Sequence, residues 1–199
     1  MYKYIMIIIP IGVDCGMRNF LRKYNLTNTT LPFDWVVTYN GVSKCIDDNF
    51  NYFIEPLDEK RINKYDTYFY HDFNCNSTYN EHEEKYIRRC NRLTNILQTS
   101  DEPIVFCRKG HACHHHQEND SKYSDIVSDI ESSENLDKVI SKKYPHLNYK
   151  IIVILVCDMC FNPSETYKSN SDKIEIYNIA TPQADADIFE KCCRDIFKI

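Results

Sequence analysis

The chain opens on an unbroken apolar run, Tyr4-Ile-Met-Ile-Ile-Ile-Pro-Ile11. Continuity rather than alternation marks a strand covered on both faces, as in parallel sheets. Pro10 is expected at its end, because a strand ladder has no use for a residue without an N–H. Gly12-Val-Asp-Cys-Gly16 then makes a tight connection, and the period changes: Met17, Phe20, Leu21 and Tyr24 share one helical face. The middle of the chain, residues 25–82, is rich in Asn, Tyr, Phe and Asp and weakly periodic, with one helix expected over 42–53. The stripe Tyr86, Ile87, Cys90, Leu93, Ile96, Leu97 predicts a helix over 83–98, and residues 103–108 read as a short buried strand. A polar, His-rich stretch, 109–119, follows it. Ile126, Val127, Ile130, Leu136, Val139 and Ile140 predict one helix or two short ones within 121–144. Residues 149–157 and 173–180 read as strands. The last helix, 185–198, is expected to turn Ile188, Phe189, Cys192 and Ile196 inward, leaving Cys193 incidental. This order predicts an α/β fold: a mainly parallel central sheet with flanking helices, a Rossmann-like three-layer sandwich. With no internal repeat and no linker, residues 1–199 are expected to form a single domain.

Composition narrows the function classes. At 199 residues and 43 % hydrophobic, the chain has enough apolar mass for a sizeable core. Its 24 basic and 29 acidic residues give a net charge of −5, which removes the electrostatic case for a nucleic-acid partner. The apolar start, eight residues long with a single Lys before it and no small-residue cleavage site after it, does not read as a secretory signal; it is too short for a bilayer span, and no run of ~18 apolar residues occurs elsewhere. No membrane association is expected, and the chain reads as soluble and intracellular. Ten cysteines are many for this length. In a reducing compartment most are small buried hydrophobes and one or two are reactive.

Cys15 is the candidate reactive thiol. In open α/β sheets chemistry gathers at the carboxyl ends of strands, where this turn falls. A thiol at a helix N-terminus meets unpaired N–H groups and the positive end of the helix dipole, both expected to lower its pKa. Gly12 and Gly16 permit a sharp turn, and backbone N–H groups there are candidates for an oxyanion hole. The bland alternative is a small residue packed behind the first helix. A partner base must come from His71, His82, His111, His114–His116 or His146. Asp34, in Leu31-Pro-Phe-Asp-Trp-Val36, lies between two aromatics and needs a cationic or N–H partner if buried. The candidates are His71, which it would orient, and Arg18 or Arg22 in a structural pair. Trp35, the only Trp, is expected to anchor this segment on the sheet. Cys107, His111, Cys113 and His114 have the chemistry of zinc ligands, but consecutive histidines cannot all converge, and a solvated polar loop is the competing reading. No cofactor or metal is assigned. Cys157-Asp-Met-Cys160 has redox spacing but lacks the helix start that a thioredoxin-like motif needs.

Ile9-Pro-Ile-Gly-Val-Asp-Cys15, the Pro32-Phe-Asp-Trp35 block, Tyr86-Ile-Arg-Arg-Cys-Asn-Arg92 and Phe106-Cys-Arg108 together resemble a family of papain-like cysteine peptidases found in large DNA viruses and some bacteria. The likeness runs over residues 4–108. It implies a Cys-dependent hydrolase with Cys15 as nucleophile, His71 as base and Asp34 as orienter or structural partner. It also implies a protein or peptide substrate and a place in the host cytoplasm. The other class of reading is a catalytically silent interaction protein on the same fold, meeting a host protein through the tyrosines of residues 65–79. A strand-first parallel sheet is not the papain architecture, so the expected fold and the family's label pull apart.

Overall fold

A computed structural model of the chain describes residues 6–55, 61–73, 79–110, 126–157, 167–181 and 186–199. The elements, in chain order, are β1 (Ile7–Pro10), α1 (Gly16–Lys23), β2 (Val37–Thr38), α2 (Val42–Asp47), β3 (Thr67–Tyr68), α3 (Tyr79–Thr99), β4 (Ile104–Gly110), α4 (Ile126–Lys143), β5 (Tyr149–Cys157), β6 (Ile174–Thr181) and α5 (Ala186–Phe197). The central sheet has the order β1-β4-β5-β6, and every pairing in it is parallel.

Alternation along each strand divides the core between the two faces. Ile9, Ile104, Phe106, Ile151, Val153 and Leu155 bury one face under α2, α3 and α4, through residues such as Cys45, Ile46, Tyr86, Leu93, Leu136 and Ile140. Ile8, Cys107, Ile152, Ile154 and Val156 bury the other under α1 and α5, through Met17, Phe20, Leu21, Phe189 and Cys193. The result is the three-layer α/β sandwich predicted from the apolar runs. Among the described residues no helix is long and apolar enough to cross a membrane.

Pro10 costs this sheet nothing. Ile7, Ile11 and Val13 donate their N–H groups to the carbonyls of Pro103, Cys107 and Lys109, in and just before β4, at 2.9, 3.0 and 2.8 Å. Within β1 the odd-numbered residues thus face β4, and residue 10 faces the open side of an edge strand, where no donor is needed. Main-chain pairing with β4 therefore continues past Pro10, up to the turn that carries Cys15.

Three expectations need correction. The helix expected over 42–53 stops at Asp47; Asn49 and Phe50 then take left-handed φ values of 52° and 61°. Phe50 and Phe53 still reach the core, so the apolar spacing that suggested a longer helix comes from turns that deliver the same side chains. In α5 it is Phe189 and Cys193, four residues apart, that are buried, while Ile188 is exposed and Cys192 half-buried. Cys193 is therefore core. Lys109 and Gly110, expected in a polar loop, are the last residues of β4; residues 111–119 lie outside the described residues. The small antiparallel pair β2–β3, two residues a side, is an addition too short to leave any periodicity.

Candidate active site

The turn after β1 is clamped by main chain. Lys109 N–H donates to Gly12 O at 2.8 Å, and Thr38 N–H donates to Val13 O at 2.9 Å. Gly12 sits at φ +104°, and a Cβ there would come within 2.6 Å of the Thr38 carbonyl, so the close approach of β2 requires glycine. The chain then enters α1 with Cys15 at its N-cap, at the carboxyl end of the sheet where ligands collect in α/β folds.

Asp14 organises this corner. Its Oδ1 accepts the Gly16 N–H at 2.7 Å, and its Oδ2 accepts the Lys109 ammonium at 2.9 Å. A carboxylate beside the first turn of a helix suits the dipole. It also occupies the Gly16 N–H that had been a candidate for an oxyanion hole. The Cys15 thiol is half-buried, and its Sγ accepts the Asn19 side-chain amide at 3.7 Å. Burial pushes the thiol pKa above its ordinary value and Asp14 pushes it further, against the smaller pulls of the main-chain N–H of Cys15 itself, Lys109 and Asn19. The direction is thus opposite to the lowering expected from the helix position: desolvation and the neighbouring carboxylate outweigh the groups that favour the thiolate.

Asp34 is 1 % exposed. Its Oδ2 accepts the Leu31 N–H at 2.9 Å and lies 3.4 Å from Arg18 Nε. Burial raises its carboxyl to about 6 despite those partners and the charges of Arg89 and Arg92. Arg18 was one of the partners proposed from the sequence. Phe33, with no exposure, is the segment's core anchor, whereas Trp35 is only half-buried. Arg22 of α1 lies 5.6 Å over the Trp35 ring, and His71 meets that ring edge-on at 6.3 Å. His71 itself is exposed and also touches Tyr70.

Cys15, Asp34 and His71 are thus all connected to α1, directly or through the 31–36 segment. Among the described residues, the side chains found to act on the thiol are Asp14, Lys109 and Asn19, not His71 or Asp34. The neighbouring Asp72, in a turn rather than an extended segment, is engaged by residues of α3 and not by His71. It accepts Lys85 Nζ at 2.6 Å and Tyr86 OH at 2.8 Å, and lies 3.3 Å from His82 Nδ1. Burial opposes its ionisation, but the Lys85 and Tyr86 bonds outweigh that and hold its carboxyl below the ordinary range.

Two of the site's supports escaped the sequence reading. Lys109 projects to the α1/α5 face by strand alternation from Cys107. Arg108 projects to the opposite face, 1 % exposed; its Nε donates to Asp129 of α4 at 2.6 Å, and its Nη1 donates to Ile11 O at 3.2 Å and Thr38 O at 3.3 Å. One guanidinium thereby ties β1, β2, β4 and α4 together just below the Cys15 turn. A charge closing an otherwise apolar strand was the available signal. Of the proposed zinc ligands, Cys107 is fully buried among the apolar residues under α1 and α5, with its thiol pushed well up by burial. His111, Cys113 and His114–His116 lie outside the described residues. So do residues 158–160 of the Cys157–Cys160 motif.

Residues 6–68 and 61–159 match the model of a family described as "putative papain-like cysteine peptidase". The chain is also similar to the uncharacterized protein R408 of Acanthamoeba polyphaga mimivirus, 30 % identical over 136 residues, with 51 % of this chain and 60 % of the relative covered. The chain thus spans about three fifths of the length of that curated relative. No solved structure matches.

Proposed function

The chain belongs to the "putative papain-like cysteine peptidase" family, and on that premise we propose that it is a cysteine-dependent hydrolase of protein or peptide substrates with Cys15 as nucleophile. The observation that carries this reading is the place of the thiol: half-buried rather than walled in, at the head of α1, on the carboxyl end of an all-parallel sheet. His71 is the proposed base. Its support is the docking of the Pro32–Trp35 block on α1 through Arg18–Asp34 and Arg22–Trp35, which attaches His71 to the helix that Cys15 caps. Asp34 acts as a positioning residue through Arg18.

A thiol with a raised pKa needs that base. His71 takes the Sγ proton as sulfur attacks the scissile carbonyl carbon, then gives it to the leaving amine, leaving a thioester that water hydrolyses to acid and free thiol. The Cys15–His71 contact belongs to the substrate-bound state, since catalytic hydrogen bonds commonly tighten only there.

The test is alkylation of the full chain by iodoacetamide between pH 6 and 9, read by mass spectrometry at each cysteine. Cys15 is expected to react faster than half-buried Cys192, and His71→Gln to slow Cys15 alone in the presence of a peptide-based electrophile. A Cys15 no faster than Cys192 overturns the nucleophile. A rate sensitive to His82→Gln and not to His71→Gln overturns the base.

The raised thiol pKa and the occupied Gly16 N–H favour a second reading, the interaction protein without turnover. On that reading Cys15→Ala leaves the chain's biological effect intact.

A further inference from the structure

Between α1 and α5, directly beside the Cys15 turn, lies a cavity of about 310 Å³. Its floor is apolar: Phe20 of α1, Val156 of β5 and Phe189 of α5. Its lining reaches the candidate nucleophile through Asn19. Asn19 lines the cavity and gives its amide to Cys15 Sγ at 3.7 Å, while Lys109 lines it and is paired to Asp14 at 2.9 Å. Lys23 and Glu190 also line it, and their ion pair at 2.6 Å is joined by the Tyr24 hydroxyl.

The charges decide what this cavity takes. Each cation among its lining residues already has a carboxylate partner, Lys109 with Asp14 and Lys23 with Glu190, so among the described residues the lining carries no uncompensated charge to recruit an acidic or basic group. The Lys109 ammonium also lies 5.4 Å from the Phe189 ring, which further satisfies it. What remains unmatched is the hydrocarbon of Phe20, Val156 and Phe189. A volume at the lower end of the range for ligand sites suits one large side chain rather than an extended ligand.

We propose that this cavity is the specificity pocket of the Cys15 reaction and receives an uncharged, large apolar side chain, aromatic or leucine-like, from the residue whose carbonyl the thiol attacks. This rests on the reading of Cys15 as nucleophile. Asn19, at the junction, is the residue that reports occupancy of the pocket to the sulfur.

The test uses N-acetylated Phe, Leu, Gly, Asp and Lys chloromethyl ketones on the full chain. Each forms a thioether as the sulfur displaces chloride, and labelling of Cys15 is timed by mass spectrometry against iodoacetamide. The Phe and Leu reagents are expected to label about tenfold or more faster than the Gly reagent, the scale on which an apolar pocket discriminates. Ala186, at the exposed start of α5, also lines the cavity, and Ala186→Trp is expected to bring the Phe and Leu rates down to the Gly rate. Equal rates for Phe and Gly with Cys15 still reactive, or a preference for Asp or Lys, overturns the pocket and leaves the nucleophile standing. An inert Cys15 overturns the nucleophile instead. The pocket then stands or falls on an NMR titration of Cys15→Ala with N-acetyl-phenylalanine amide: shifts at Phe20, Val156 and Phe189 support it, and their absence overturns it.

Discussion

Replacing Asp34 by Asn should stabilise the protein at neutral pH, although it removes one half of a buried ion pair. The carboxyl sits at about 6 in the fold against an ordinary 3.8, because burial at 1 % exposure outweighs the Leu31 N–H and the guanidinium of Arg18. A carboxyl with its folded pKa raised binds more protons folded than unfolded, so its contribution is fully present below pH 3.8 and is lost as pH rises through about 6. At about 1.4 kcal/mol per pH unit, the wild type gives up about 3 kcal/mol across that window. Asn keeps an acceptor for the Leu31 N–H and mimics the protonated acid, so it does not titrate. Urea unfolding of both proteins at pH 4, 5, 6 and 7 isolates the effect, since every other titrating group is common to the two. Stabilities that coincide at pH 4 and diverge to about 3 kcal/mol in favour of Asp34→Asn at pH 7 are expected. The opposite divergence, with the variant weaker at pH 7, would mean that the Arg18 pair outweighs desolvation and would refute the reasoning.

Other consequences follow from the same corner of the fold. Arg108→Met removes the buried guanidinium that bonds Asp129, Ile11 and Thr38 and should cost about 3–5 kcal/mol, a fall in Tm of about 10 °C by calorimetry. Asp14→Asn should speed alkylation of Cys15 at pH 7 by about threefold to tenfold, since it removes a charge that holds the thiol protonated. Lys109→Met should slow the same reaction by a comparable factor, and equal effects of the two in one direction would exclude an electrostatic origin. Gly12→Ala, forced to φ +104° against the Thr38 carbonyl, should cost about 1–3 kcal/mol in urea unfolding and leave the Cys15 turn displaced.

The sheet was legible because a strand buried on both faces has no polar residue to spare. Residues 149–157 show this most plainly: Ile151, Val153 and Leu155 face one helical layer, Ile152, Ile154 and Val156 the other, and the run of apolar letters is the direct trace of that double burial. The same logic failed over residues 42–53. There the core needs Val42, Ile46, Phe50 and Phe53, but backbone reversals at Asn49 and Phe50 supply the last two as readily as a helix would, and spacing alone does not distinguish the routes. Cys192 and Cys193 failed for a finer reason: the apolar stripe of α5 is broad, and a rotation of one residue interchanges core and rim.

The site was legible in its backbone and illegible in its electrostatics. A strand, a Gly-flanked turn and an amphipathic helix place Cys15 at a carboxyl sheet end from sequence alone, and local letters imply a thiol eased toward its anion by the helix. That implication omits what strand pairing imports. Lys109 and the turn come together only because residues 11–13 run in register beside β4, ninety-odd positions along the chain. The Asp14 carboxylate that answers Lys109 also takes the Gly16 N–H, so the first donor of the helix serves Asp14 rather than sulfur. Desolvation, which no letter records, then sets the direction of the thiol's pKa. A reactive Cys15 in this fold therefore depends on a proton acceptor brought to it, because neither Lys109 nor Asn19 can take the thiol proton.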